Sequence, residues 1–169
     1  MKNTVLDSHA VIAFLQGEPG AERMKDLFEK AATSQPVFIS SVNWGEVKYQ
    51  MLRKRGPAGW ALAASLMATL PIAVVVVDRE LAEAAADFKG SKNLGYADCF
   101  AAALAKARRA DLWTGDRDFK RVEGVAGATI LGDGTVALIL DVPGLIKLAH
   151  RNAVALGVGD VHQPENLAA

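Results

Sequence analysis

A chain of 169 residues suits one domain with at most a small appendage, and its 51% hydrophobic and 22% charged residues exclude a disordered polymer. Nineteen basic and nineteen acidic side chains cancel, which argues against a broadly basic nucleic-acid coat but leaves room for a local basic rim. The single cysteine, Cys99, excludes an internal disulfide framework and a cysteine-built zinc site. No signal-like hydrophobic region follows Met1, so a cytoplasmic location is expected. The longest apolar run, Leu70 to Val77 with Pro71 inside it, is too short to span a bilayer, so no membrane contact is expected.

In chain order, Thr4-Val-Leu reads as a buried strand ending at Asp7, and Ala10 to Gln16 as an apolar helix stopped by Gly17. Pro19 opens a helix over Ala21 to Ala32, with Met24, Leu27, Phe28 and Ala31 at core-facing spacing. Pro36-Val-Phe-Ile-Ser is a second strand. Ser41 then reads as the cap of a helix from Val42 to about Arg55. On it Trp44, Val47 and Met51 share the core side, while Val42, Glu46, Tyr49 and Arg53 share the other. Gly56-Pro57 breaks the chain before a helix over Ala58 to Ala68.

Pro71 to Val77, β-branched and apolar, reads as a buried parallel strand. Asp78 caps an alanine-rich helix reaching Phe88, and Lys89 to Gly95 is a loop. From Tyr96 the next dozen residues are strong helix formers. Tyr96, Phe100, Ala103, Leu104 and Ala107 lie on one side; Asp98, Ala101, Ala102, Ala105 and Arg109 lie on the other, so both sides are expected to be packed. Asp111-Leu-Trp-Thr is a fourth strand running into Gly115 and Asp116. Phe119 begins a short turn, and Ala128-Thr-Ile-Leu is a fifth strand. Strands alternating with longer helices predict an α/β domain with a mostly parallel central sheet of about five short strands.

In such sheets the functional crevice lies beyond the carboxyl ends of the strands. Asp7 and Asp116 follow strands, and Glu46 and Asp98 sit in the first turns of helices, so all four can converge at one edge. Taken singly, each has a structural explanation as a helix cap or a complement to the helix dipole. Together they would repel one another unless a hard divalent cation with oxygen ligands, Mg²⁺ or Mn²⁺, lay between them. His9, His150 and His162 form no spaced ligand pair, so acid-based phosphodiester hydrolysis is favoured over zinc peptidase chemistry.

Four segments carry a family resemblance: Thr4-Val-Leu-Asp7-Ser, Ser41-Val-Asn-Trp-Gly-Glu46-Val, Tyr96-Ala-Asp98-Cys-Phe and Thr114-Gly-Asp116-Arg-Asp-Phe119. In order and spacing they resemble the four motifs of PIN domains, and in particular VapC-type ribonuclease toxins of bacterial toxin–antitoxin pairs. The resemblance implies a PIN-like α/β/α sandwich over residues 1–131. It also implies Mg²⁺- or Mn²⁺-dependent endoribonuclease activity on RNA, a cognate antitoxin and a homodimer. It makes Asp7, Glu46, Asp98 and Asp116 the catalytic, metal-binding acids, with Asp118 a further candidate and Thr114 a supporting hydroxyl. Two other outcomes are compatible with it: a PIN nuclease of RNA processing without an antitoxin, and a catalytically silent PIN module that binds RNA or protein.

Two features depart from the family pattern. His9 stands where a small hydroxyl or amide residue is common. Residues 132–169 extend past the family's usual end, with a turn at Asp133-Gly134, a helix over Val142 to Val154 and a disordered end expected. Basic residues near the proposed cleft are Lys48, Arg53, Lys54, Arg55, Lys89, Lys92, Arg117, Lys120 and Arg121. Of these, Arg53, Lys54, Arg117 and Lys120 are the candidates for RNA phosphate contact; a solvated surface is the alternative for each.

Overall fold

The computed structural model describes residues 3–91, 94–115, 119, 125–130 and 136–140. Four short apolar runs form strands: β1 (Thr4–Leu6), β2 (Val37–Ser40), β3 (Ile72–Val75) and β4 (Asp111–Thr114). They pair in parallel in the order β3-β2-β1-β4, with Val5 of β1 registered against Phe38 on one side and Leu112 on the other. Two more strands, β5 (Val125–Ile130) and β6 (Val136–Leu140), extend the sheet beyond β4. β6 lies antiparallel to β4, and β5 lies outside β6 with a register irregularity between Val125 and Gly127.

Helices cover both faces. On one side α1 (Ser8–Gln16), α2 (Ala21–Ala32) and α3 (Ser41–Met67) enclose Leu6, Val37, Ile39, Met24, Leu27 and Phe28. On the other, α4 (Arg79–Ser91) and α5 (Tyr96–Arg108) pack on Val5 and Leu112. Val5 and Leu6 point to opposite faces because side chains alternate along a strand. The chain steps outward from β1 to β2 to β3 over one face, then returns over the other to place β4 beside β1. That is a three-layer PIN-like α/β/α sandwich, as the sequence predicts. Among the described residues no helix is long and apolar enough to cross a membrane.

The structure departs from the sequence reading at four places. β3 is the edge of the sheet, not a buried strand, and Val74 and Val76 are 44% and 77% exposed. Among the described residues only one flank of β3 meets another strand, so its valines reflect β propensity more than burial. Ser40, not Ser41, caps α3, and the Ser41 hydroxyl instead accepts the Val77 N–H at 3.2 Å. On α5, Cys99 to Ala105 are all buried, but Tyr96 is 57% exposed. β6 arises from the segment read as an extension of the domain. The helix expected over 142–154 and the end beyond it lie outside the described residues.

α1 and α3 run side by side in the same direction, since each leaves the carboxyl end of a neighbouring strand. Ser8 meets Glu46 at their starts, and Lys54 reaches Gln16 at 3.4 Å one α1 length further on. Gly56 interrupts α3 with φ 67° and ψ −173°, the break expected at Gly56-Pro57. That backbone region is open almost only to glycine, and among the described residues nothing lies within 4 Å of the place a Cβ would take. Gly56→Ala is therefore expected to cost about 1–3 kcal/mol from backbone strain alone. An unchanged urea midpoint would show that the kink relaxes instead.

The start of α3 is tied across the domain by Asn43, which is fully buried. Its N–H donates to the Ser40 hydroxyl at 3.0 Å, and its side-chain oxygen accepts from that hydroxyl. Its amide nitrogen donates to the Ala97 carbonyl of α5 at 3.1 Å. Asn43→Ala keeps the backbone bond to Ser40 but removes both side-chain bonds, to the Ser40 hydroxyl and the Ala97 carbonyl, at an expected cost of about 1–3 kcal/mol. Chemical denaturation of the variant and the parent measures it.

Candidate functional site

The four parallel strands end at one edge, and α1, α3 and α5 all begin there. β1 lies between β2, which follows it in the chain, and β4, the last of the parallel strands, so chain direction reverses at the β1–β4 boundary. A crevice forms at such a switch point. The residues on either side of it are Asp7 and Thr114.

Asp7 is completely buried. One carboxylate oxygen caps α1 by accepting the Ala10 N–H at 2.7 Å, and the other accepts the Thr114 hydroxyl. Its own N–H donates to the Trp113 carbonyl at 3.1 Å, continuing the β1–β4 ladder. A buried carboxylate without such donors would be strongly unfavourable. The capping bond fixes where α1 starts, and the threonine bond fixes the carboxylate against the end of β4. Thr114 is itself buried.

Glu46 is half-buried one turn into α3, and its Oε2 accepts the Ser8 hydroxyl at 2.6 Å. Ser8 adjoins Asp7, so this bond brings the Glu46 carboxylate toward the Asp7 end of the crevice. Asp98, also half-buried, is in the first turn of α5. A Cβ placed on Gly95 would lie 2.5 Å from Asp98 Oδ2, so the missing side chain is the space the carboxylate uses. Asn43, through the Ala97 carbonyl, holds this turn to the start of α3. Burial raises the neighbouring Cys99 thiol above its usual range, with Lys89 opposing and Asp98 adding to the rise.

Asp116, Asp118, Arg117 and Lys120 lie outside the described residues. Among the described residues no group of three or more His, Cys, Asp and Glu side chains is close enough to hold a metal ion. Asp7, Glu46 and Asp98 thus share an edge without closing a cluster on their own. Their donor set is nonetheless all oxygen, carboxylates backed by hydroxyls, which is what a hard cation such as Mg²⁺ or Mn²⁺ takes.

His9 is exposed on the first turn of α1. Its ring lies over the end of β4, where a Cβ on Gly115 would come within 2.5 Å of Nδ1 and 2.6 Å of Cε1. The sequence singled out His9 but could not place it. The reading missed Ser8, Asn43 and Gly95, all of which act on the acids or their helices. Ser8 and Asn43 stood inside the quoted motifs. A small polar residue beside or one turn before an acid was the available signal.

A family model for the PIN domain matches residues 4–125. Among solved structures, DNA-bound VapBC from Salmonella typhimurium is similar, with a TM-score of 0.60 and 22% identity over 73% of this chain and 95% of that one. VapBC2 from Rickettsia felis, bound to a DNA fragment from their promoter, gives a TM-score of 0.59 and 16% identity over 71% and 92%. Mycobacterium tuberculosis VapC20, described as a sarcin–ricin loop cleaving toxin, gives 0.58 and 18% over 72% and 95%. At these identities the likeness is one of fold. No curated protein matches the sequence. With the family model spanning the whole parallel sheet and the crevice at its switch point, the chain belongs to the PIN domain family.

Proposed function

We propose that the protein is a Mg²⁺- or Mn²⁺-dependent endoribonuclease, the toxin of a type II toxin–antitoxin pair, acting as a homodimer in the cytoplasm. The observation that carries this is the buried Asp7 carboxylate at the switch point of a PIN fold, held by Ala10 N–H and the Thr114 hydroxyl. Glu46 and Asp98 begin helices at the same edge. The fold likeness to VapC20, described as a toxin that cleaves the sarcin–ricin loop, supports RNA as substrate. The likeness to two VapBC assemblies supports a protein antitoxin as partner.

In this reading Asp7, Glu46, Asp98 and Asp116 hold the cation, with Asp118 available as a further acid. When bound, the cation supplies an activated water and stabilises charge developing on phosphorus. The protein's part is orientation. Thr114 fixes the plane of the Asp7 carboxylate, Ser8 draws Glu46 toward it, and the open side of Gly95 leaves Asp98 room to turn into the crevice. Arg53, Lys54, Arg117 and Lys120 would meet RNA phosphates, with affinity falling as salt rises.

EDTA is expected to abolish RNA cleavage, and added Mn²⁺ or Mg²⁺ to restore it, while a zinc-selective chelator leaves it intact. Full cleavage in excess EDTA would overturn the metal-dependent reading.

Asp98→Asn separates a metal-binding role from a structural one. As a ligand in a crowded acidic site, its loss should lower cleavage by orders of magnitude while stability without metal holds or rises. As a mere complement to the α5 dipole, its loss should cost about 0.3–1 kcal/mol and spare cleavage. Thermal melts with EDTA, beside a cleavage assay on the same preparation, distinguish the two.

A further inference from the structure

At the end of β4 two neighbouring residues are gripped from opposite faces of the sheet. Thr114 shares a face with Leu112, which packs under α5, and its hydroxyl donates to the Asp7 carboxylate. Side chains alternate along a strand, so the next position, 115, turns to the face that α1 covers. Glycine stands there, and the ring of His9, from the first turn of α1, takes the space a side chain would need. A Cβ on Gly115 would lie 2.5 Å from Nδ1 and 2.6 Å from Cε1, closer than real side chains come.

The backbone does not ask for glycine at this position. Gly17, Gly20 and Gly56 have positive φ, and Gly115 does not. Its missing side chain therefore serves the close approach of His9 and not a turn. The contact also closes a circuit. Asp7 caps α1 through the Ala10 N–H at 2.7 Å, and its own N–H donates to the Trp113 carbonyl at 3.1 Å. From α1, His9 reaches back to Gly115, one peptide from the threonine that holds Asp7. The end of β1 and the start of α1 thus meet β4 at three successive residues, Trp113, Thr114 and Gly115.

We infer that His9 is a positioning residue for the cation site: its ring clamps the Gly115 backbone and so keeps the end of β4, with the Thr114 hydroxyl, against the Asp7 carboxylate. The inference rests on the metal-dependent reading and assigns His9 neither a proton nor a bond to the cation. Without the ring, the grip on β4 from the α1 side is lost, and Thr114 moves more freely with its neighbour. The Asp7 carboxylate then loses a donor that fixes its plane, and a ligand that must be oriented on binding holds a metal more weakly. Gly115 is also the residue from which the chain continues to Asp116, so the same contact sets where that segment begins. Because His9 is exposed, removing its ring leaves the core as it is.

The test titrates Mn²⁺ alone, at one pH, into the full-length protein and its variants, with calorimetry as the readout. His9→Ala is expected to weaken Mn²⁺ binding about tenfold, as loss of a group behind a metal ligand does. Gly115→Ala, whose methyl group displaces the ring, is expected to cause the same loss. The double variant is expected to lose no more than either single one, because all three lack one and the same contact. His9→Phe keeps a flat ring and is expected to keep the affinity. Unchanged affinity in His9→Ala and Gly115→Ala, with a lowered metal-free melting temperature, makes the histidine merely structural and overturns the inference. Losses that add in the double variant overturn it too. So does His9→Phe binding as weakly as His9→Ala, which gives the ring nitrogens a direct role. A parent protein that binds no Mn²⁺ removes the metal-dependent reading by itself. The clamp is then read from amide exchange in metal-free protein: the Asp7 N–H is expected to exchange faster in His9→Ala, and an unchanged rate overturns the clamp.

Discussion

The structure turns on a carboxylate buried at the end of its first strand. Asp7 has no exposed surface, yet it lies at the one edge where all four parallel strands terminate. Such a group persists only if donors replace its lost water, and here they come from two elements far apart in sequence, the first turn of α1 and the last residue of β4. The same two bonds that make the burial tolerable also register β1 against β4 and start α1 in a fixed direction. Shifting either element would strand the carboxylate, so the fold and the site constrain each other at this residue.

Small groups stand beside the other two acids described at this edge. A serine hydroxyl meets Glu46, and a glycine without a side chain gives Asp98 its space. Neither contact neutralises charge, unlike an arginine or lysine partner at the same distance, so the Glu46–Ser8 pair leaves the carboxylate fully able to meet a cation. Half-burial adds to this, since a charge partly shielded from water interacts more strongly with whatever approaches it. Asn43 supplies the rigidity that these contacts lack. By joining the starts of α3 and α5 it keeps the two helices that carry Glu46 and Asp98 from moving apart.

Much of this was legible in the sequence because the chain punctuates itself. Gly17, at φ 64°, ends α1, and the α2 face of Met24, Leu27, Phe28 and Ala31 is buried as its spacing required. Asp78 caps the turn before α4 through the Leu81 N–H at 2.8 Å. What failed were questions a local pattern cannot answer. A run of valines looks the same at the edge of a sheet as at its centre, so β3 was assigned to the interior. Two adjacent serines are equally good caps, and only the Asn43 N–H chose Ser40 over Ser41. Tyr96 fits the apolar side of α5 by spacing, but at the first helical position its ring meets Phe100 edge-on and stays 57% exposed. Val136-Ala-Leu-Ile-Leu after Asp133-Gly134 carries a strand signal of its own, but it lies past residue 131, where the family resemblance ends.

The kink in α3 explains how one helix serves both the core and the rim. Ahead of Gly56, Val47 and Met51 are buried while Glu46, Tyr49 and Arg53 occupy the opposite stripe. Past Gly56, Ala63 and Met67 are the buried positions, and Leu62 and Leu66 are exposed instead of cations. An uninterrupted helix would advance both stripes at a fixed angle from end to end. A break with a left-handed φ resets that angle, so the second segment can follow the sheet while the first keeps its polar stripe beside the acids. The division of chemistry from packing along α3 thus depends on a single residue without a side chain, placed just after Arg55.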